Sequence, residues 1–248
     1  EPSGRWDAEG IELKASENGD KWVLNGTKLF VPNAHVSDYV VVAARTGEGT
    51  NDISLFIVST QAKGVEETLL QTIASDRQSE VVFNNVEVSS SDLLGEKNAG
   101  WSTIEKVLQW GAIGKCAEMT GGGQEVLDMT VEYAKQRTQF GRPIGTFQAI
   151  QHHCANMATD VEGSKFITYQ AAWRLSEGLP ADREVAMAKA WVSEAYRRVC
   201  ALGHQSHGAI GFTKEHNMQL YSRRAKAAEL AFGDADLHLD KVSEILGL

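Results

Sequence analysis

Arg137-Thr138-Gln139-Phe140-Gly141, continued by Pro143-Ile144, Phe147-Gln148 and Gln151-His152, lies where one amphipathic pattern stops and the next begins. On its C-terminal side Phe147, Ile150, Cys154, Met157 and Val161 recur at three and four residues and line one face of a helix. Val185, Ala188, Val192, Tyr196 and Val199 repeat that spacing beyond a break at Leu179-Pro180. The pattern predicts long helices over 98–135, 143–177, 181–203, 214–230 and 235–246, the content of an up-down four-helix bundle. The junction itself admits two readings. In the plain one a helix ends at Gly141, another starts at Pro143, and Arg137 is solvated. In the other, Arg137 grips a phosphate with its planar fork, Phe140 offers a flat apolar face, and the glutamines read an amide or ring-nitrogen edge. A ligand with a pyrophosphate and a flat heterocycle suits that set.

Upstream the period is two. Ile11 to Ala15, Lys21 to Leu24, Thr27 to Val31, Asp38 to Ala44, Ile53 to Val58, Glu80 to Phe83 and Val86 to Val88 read as short strands. Asn18-Gly19-Asp20, Asn25-Gly26 and Asn84-Asn85 read as the turns between them. Many short strands separated by turns imply an antiparallel β-sandwich or barrel. Ser89-Ser90-Ser91-Asp92 then punctuates the chain. The expectation is an α+β protein with two segregated domains, a β-domain over 1–93 and a helical bundle over 94–248.

The 248 residues carry a net charge of -9, which argues against a general nucleic-acid binder. No apolar run reaches membrane-spanning length and no signal peptide is visible. Cys116, Cys154 and Cys200 are sparse and odd in number, which fits free thiols in a reducing compartment, the cytoplasm or an equivalent such as the mitochondrial matrix. Glu1 in place of Met marks a processed or excised piece. Gly121-Gly122-Gly123 lacks the Lys and Ser/Thr of a phosphate loop and follows no strand, so close helix packing, a kink or a ligand must explain it. His204, His207 and His216 have no accompanying Cys or carboxylate cluster, and no metal site is expected.

Four ordered segments resemble the acyl-CoA dehydrogenase family. Glu1-Pro2-Ser3-Gly4 resembles the end of its Thr-Glu-Pro-x-Gly strand, and Asn25 to Asn33 its Asn-Gly-x-Lys-x-Trp-Ile-Thr-Asn segment. Arg137 to Gln148 resembles its Arg-x-x-Phe-Gly…Gln signature, and Gln205 to Phe212 its Gln-x-x-Gly-Gly-x-Gly-Phe segment. The resemblance covers essentially the whole chain and implies an FAD-dependent enzyme that removes two hydrogens from the Cα–Cβ bond of an acyl-CoA thioester. It implies that the family's N-terminal helical domain is missing here and that this piece alone is inactive. It also implies like or related subunits, in a dimer or tetramer that can be a heteromer, and an electron-transfer flavoprotein as acceptor. By resemblance Arg137, Gln205 and the backbone at Gly208 and Ala209 hold the FAD diphosphate, Phe140 packs on the cofactor, and Gln148 contacts its adenosine end. Phe30 lies against the flavin ring where the family usually has Trp, and Ser3 joins the same site.

The catalytic base departs from the family pattern. The glutamate that usually precedes Gly-Thr near the C-terminus is replaced by Phe232, before Gly233. The alternative position on the first bundle helix falls near Trp110-Gly111-Ala112, again without a carboxylate. Glu118 lies nearly two turns away, and Asp234 and Asp236 are left as displaced candidates, with helix capping the competing role for Asp234. Phe-Gly-Asp and His-Gly-Ala-Ile-Gly-Phe at these places resemble the branch built from paired, non-identical subunits, in which one subunit can lack the base. Steroid side chains, dicarboxylic acids and alicyclic acids, all as CoA thioesters, are the substrates that branch implies. Arg223, Arg224 and Lys226 are either a CoA-phosphate contact or solvated helix surface.

Overall fold

The computed structural model describes residues 1–248. They divide into two compact units, Glu1–Val107 and Leu108–Leu248. The first unit holds strands β1 (Lys14–Asn18), β2 (Lys21–Pro32), β3 (Tyr39–Arg45), β4 (Ile53–Ser59), β5 (Val65–Leu69), β6 (Gln78–Ser89) and β7 (Leu93–Leu94). Helix α1 (Trp101–Gln136) spans the boundary. The second unit adds the two-residue strands β8 (Thr138–Gln139) and β9 (Arg142–Pro143), then α2 (Gln148–Ser176), α3 (Asp182–His207), α4 (Met218–Leu230) and α5 (Ala235–Leu246).

The seven strands of the first unit run β5-β6-β2-β1-β3-β4-β7. Every neighbouring pair is antiparallel except β1 and β3, which meet in parallel at Lys14 and Arg45. That short joint links two antiparallel halves whose inner faces share one core, where Trp22 from one half meets Phe56 from the other at 5.3 Å between ring centroids. The α+β class is as expected, but two expected turns are corrected. Asn25-Gly26 and Asn84-Asn85 both lie inside twelve-residue strands, β2 and β6. They face each other in a bulge: pairing runs from Leu24–Val86 to Gly26–Phe83, and the Asn85 N–H donates to Asn25 Oδ1 at 2.8 Å. The bulge changes which residues point inward on β6, from Ser79, Val81 and Phe83 to Val86 and Val88. Without the extra residue one half of β6 would turn its apolar side to water. Asn and Gly tolerate the required backbone, which is why they also read as turn residues.

A second bulge falls between Lys28 and Val31 and puts Phe30 at φ 56. Nearby, the Glu1 carboxylate is almost wholly enclosed. It accepts from the backbone N–H of Glu12 at 2.8 Å and of Leu13 at 3.0 Å, and pairs with Lys28. Two of the segments on which the resemblance rests are therefore tied together by one buried ion pair.

In the second unit α3 packs against α2, α4 and α5. The triple glycine is explained by packing: a Cβ at Gly122 would collide with the Tyr196 ring and hydroxyl, and one at Gly123 would touch Val161 at 3.4 Å. Gly121 faces open space. Helix α3 runs to His207, four residues past its expected end, and stops at Gly208 with φ 66. Helix α2 starts at Gln148 rather than 143, because Ile144–Thr146 forms a 3-10 turn first. No helix is long and apolar enough to cross a membrane. Burial pushes the Cys116 and Cys200 thiols up to about 12, so both are inert packing groups.

Candidate functional site

The Arg137 stretch is neither a bare cap nor a helix restart. Strands β8 and β9 pair as a miniature hairpin, Thr138 with Pro143 and Gln139 with Arg142. Its two-residue turn is Phe140-Gly141, at φ 53 and 78. Two successive left-handed residues make the type I′ turn that suits a tight hairpin. Glycine enters that region freely, whereas phenylalanine does so at a cost. The result is a phenyl ring 94% exposed at the hairpin tip, edge-on to Phe147 with ring centroids 6.1 Å apart. The Arg142 guanidinium stacks on the other aromatic, 4.2 Å from the Phe147 ring centre.

Behind the hairpin is a cleft of about 370 Å³ lined by Tyr133, Arg137, Gln139, Phe140, Gln205 and Gly208, among others. Arg137 sits at the end of α1, its N–H bonded to the Tyr133 carbonyl and its carbonyl receiving the Ile144 N–H, both at 2.8 Å. Those bonds fix its backbone, while its guanidinium spends no donor on another side chain. Across the cleft α3 ends with Gln205, Ser206 and His207, and Gly208 turns the chain away. His207 is stacked on Tyr133 at 4.4 Å and donates through Nδ1 to the Gly203 carbonyl at 2.8 Å. Burial lowers its pKa, so it stays neutral near pH 7. His204 bonds Ser222 and stacks on Phe212, and His216 Nδ1 accepts from the Met218 N–H at 3.1 Å. These three imidazoles are thus engaged in holding the helix end.

The structure brings Arg137, Phe140, Gln205 and Gly208 to one cleft. Gln148 and Ala209 are exposed beside it, in the first turn of α2 and in the turn after α3, and do not line it. Ser3 and Phe30 belong to the first unit, where Phe30 is 63% exposed on its bulge. Tyr133, Ser206 and His207 line the cleft as well, although the sequence reading assigns none of them to a cofactor site. Tyr133 stands one helical turn before Arg137, and that i, i+4 spacing was the available signal.

Comparison with known proteins decides what kind of molecule this is. The family model described as acyl-CoA dehydrogenase, middle domain, matches residues 1–86, and the one described as acyl-CoA dehydrogenase, C-terminal domain, matches 98–247. The chain belongs to the acyl-CoA dehydrogenase family. It is 37% identical over 243 residues to the 3-(aryl)acrylate reductase of Clostridium sporogenes, covering 96% of this chain and 64% of that protein. It is 34% identical to the caffeyl-CoA reductase-Etf complex subunit CarC of Acetobacterium woodii, covering 99% of this chain and 66% of that one. The structure of butyryl-CoA dehydrogenase from Megasphaera elsdenii superposes with a TM-score of 0.94 at 30% identity, over 100% of this chain and 66% of that chain. The chain therefore spans about two thirds of the length of these relatives.

Within an acyl-CoA dehydrogenase frame the base positions acquire a geometry. Phe232 sits at φ 60 in the turn between α4 and α5, and its ring lies on Gly111 of α1, where any Cβ would collide with it. Phe232, where the resemblance expects the glutamate, is thus in contact with the Trp110–Ala112 stretch near which it puts the alternative, and neither place offers a carboxylate. Asp234 caps α5, its Oδ1 accepting from the Leu237 N–H at 3.0 Å, and Asp236 is exposed in the first turn of that helix. Glu118 is an exposed partner of Lys115 at 2.7 Å and of Arg224 at 3.3 Å. Lys226 pairs with Glu229, so the basic cluster on α4 is largely matched within the chain.

Proposed function

We propose that this chain is part of an FAD-dependent acyl-CoA dehydrogenase subunit that takes part in α,β-dehydrogenation of an acyl-CoA thioester. The cleft shared by Arg137, Phe140, Gln205 and Gly208 carries that reading. Its residues fit a diphosphate. A guanidinium forms paired bonds to phosphate oxygens, a side-chain amide adds a donor, and a glycine lets the backbone approach. At about 370 Å³ it lies at the low end for ligand clefts, so it holds a segment of a flavin dinucleotide rather than all of it. The rest of the cofactor is then contacted elsewhere, in part by a neighbouring like or related subunit, and Phe30 and Ser3 are proposed as contacts from the resemblance alone. Bound flavin would supply a hydride acceptor. Arg137 would fix the diphosphate, and Phe140, held out by its turn, would pack on the cofactor's flat surface. An electron-transfer flavoprotein is the proposed electron acceptor, in keeping with the Etf complex named for one relative.

Removing one such charge-assisted contact should weaken FAD binding roughly tenfold or more, by about 1.5–3 kcal/mol. Flavin fluorescence titration of the full-length protein and its Arg137→Ala variant measures this. Equal affinity in the two, or no flavin uptake by the wild type with or without a partner subunit, would sink the reading.

A second reading is that this subunit lacks the base and shares a site completed by a different chain. The Phe232 ring on Gly111 favours it, because a phenyl group accepts no proton. It predicts that the protein alone leaves its flavin oxidised with every acyl-CoA offered, while co-expression with a related subunit restores bleaching. Turnover by the lone protein that disappears in Asp234→Asn would instead place the base in this chain.

A further inference from the structure

The side chain of Lys189 is fully buried in α3, among the core residues Val185, Ala188 and Val192. Its ammonium donates to Ser193 Oγ at 3.0 Å, to the Glu229 carbonyl at 2.9 Å and to the Gly233 carbonyl at 2.8 Å. The last two acceptors flank Phe232 in sequence. The carbonyl of Phe232 itself accepts from Nε2 of His238, a residue only 3% exposed. The turn held in this way is not one the backbone favours, since Phe232 and Gly233 take φ 60 and 90 in succession. A buried cation and a buried imidazole thus donate to both carbonyls of one strained turn and to the Glu229 carbonyl at the end of the helix before it.

We propose that Lys189 and His238 act together as a buried clamp that positions the Phe232–Gly233 turn and so holds the Phe232 ring against Gly111. Every residue involved lies in the second unit, and the test needs no cofactor, so this inference stands or falls apart from the flavin reading. Lys189 is faced by Lys115 and Cys116 from α1, by Glu229 from α4 and by Asp234 from the turn. His238 is faced by Lys241 of its own helix, by Lys189 and by Asp234. Burial brings Lys189 down to about 8, so it remains the charged donor at neutral pH, and brings His238 down to about 4. A neutral imidazole that donates through Nε2 leaves Nδ1 as an acceptor, and this Nδ1 is buried without a partner. A second proton there would be an unmatched buried donor. The closed turn therefore resists protonation, and an opened turn, with His238 back near its ordinary 6.5, gains population as pH falls through that window.

Hydrogen–deuterium exchange of the full-length protein, corrected for the intrinsic pH dependence of exchange, reads the turn at peptides covering 229–238. At about pH 7, Lys189→Met and His238→Ala should speed exchange there by about tenfold or more, with α2 unchanged. His238→Gln keeps a donor for the Phe232 carbonyl and should exchange like wild type at about pH 7. It should also lose the acceleration that wild type shows on going to about pH 5. Unchanged exchange at the turn in Lys189→Met and His238→Ala overturns the clamp, and so does protection lost evenly across the helical unit. If Lys189→Met does not fold, the two His238 variants decide: an acid response that survives in His238→Gln overturns the proposal.

Discussion

Glu1 is held by the backbone N–H groups of Glu12 and Leu13 and by the ammonium of Lys28. Burial lowers the Lys28 pKa, and Glu1 works against that shift. An enclosed pair of this kind is costly to break from either side, because the survivor keeps its desolvation penalty. Lys28→Met and Glu1→Gln should each lose about 2–4 kcal/mol in urea unfolding, and the double variant should cost less than the sum. His238 offers a different readout. Its folded pKa of about 4 lies below the ordinary 6.5, so the unfolded chain binds the extra proton first. Stability is therefore full above about pH 6.5 and drains away as pH falls toward 4, by up to about 3 kcal/mol. Thermal unfolding across that range should show the loss in wild type and a flatter profile in His238→Gln. Neither Lys189 nor Glu1 was legible from sequence as a buried group, because charge predicts surface and only the fold supplies the partners that reverse it. The apolar run around Lys189, from Val185 to Val192, was the one available hint.

At the scale of elements, periodicity carried the helices well because each buries a continuous stripe. It failed where one residue type serves two conformations. Asn25-Gly26 and Asn84-Asn85 have the chemistry of turns and stand in bulges, and which of the two forms depends on whether a partner strand continues alongside. The Arg137–Gln148 stretch was legible in the order of its residues but not in its hairpin, since four strand residues carry no period. The glycine run separates propensity from packing. Gly121 faces open space in mid-helix, so Gly121→Ala should stabilise by about 0.5–1 kcal/mol. Gly122→Ala, one position on, meets Tyr196 and should destabilise by about 1–3 kcal/mol despite the same gain in helix propensity. Differential scanning calorimetry of the two variants should show melting temperatures moving in opposite directions.

For the whole molecule, the order of four short segments along the chain carried the family, whereas single motifs did not. The geometry then sorted the candidate residues by place: Arg137, Phe140, Gln205 and Gly208 share a cleft, while Ser3 and Phe30 lie in the other unit. Under the proposed function the cleft takes only part of a flavin dinucleotide, and retention then depends on assembly. Diluting the full-length protein should then release FAD as any assembly dissociates, and flavin fluorescence measured alongside light scattering checks this. The contact between Phe232 and Gly111 also constrains the order in which this chain could change. While the ring stays where it is, the helix position admits no side chain, so a carboxylate placed there first meets a steric block. A smaller residue at 232 relieves that block, so what 111 tolerates depends on what stands at 232. The phenyl ring at 232 and the glycine at 111 are thereby coupled, and a change at either alters what the other accepts.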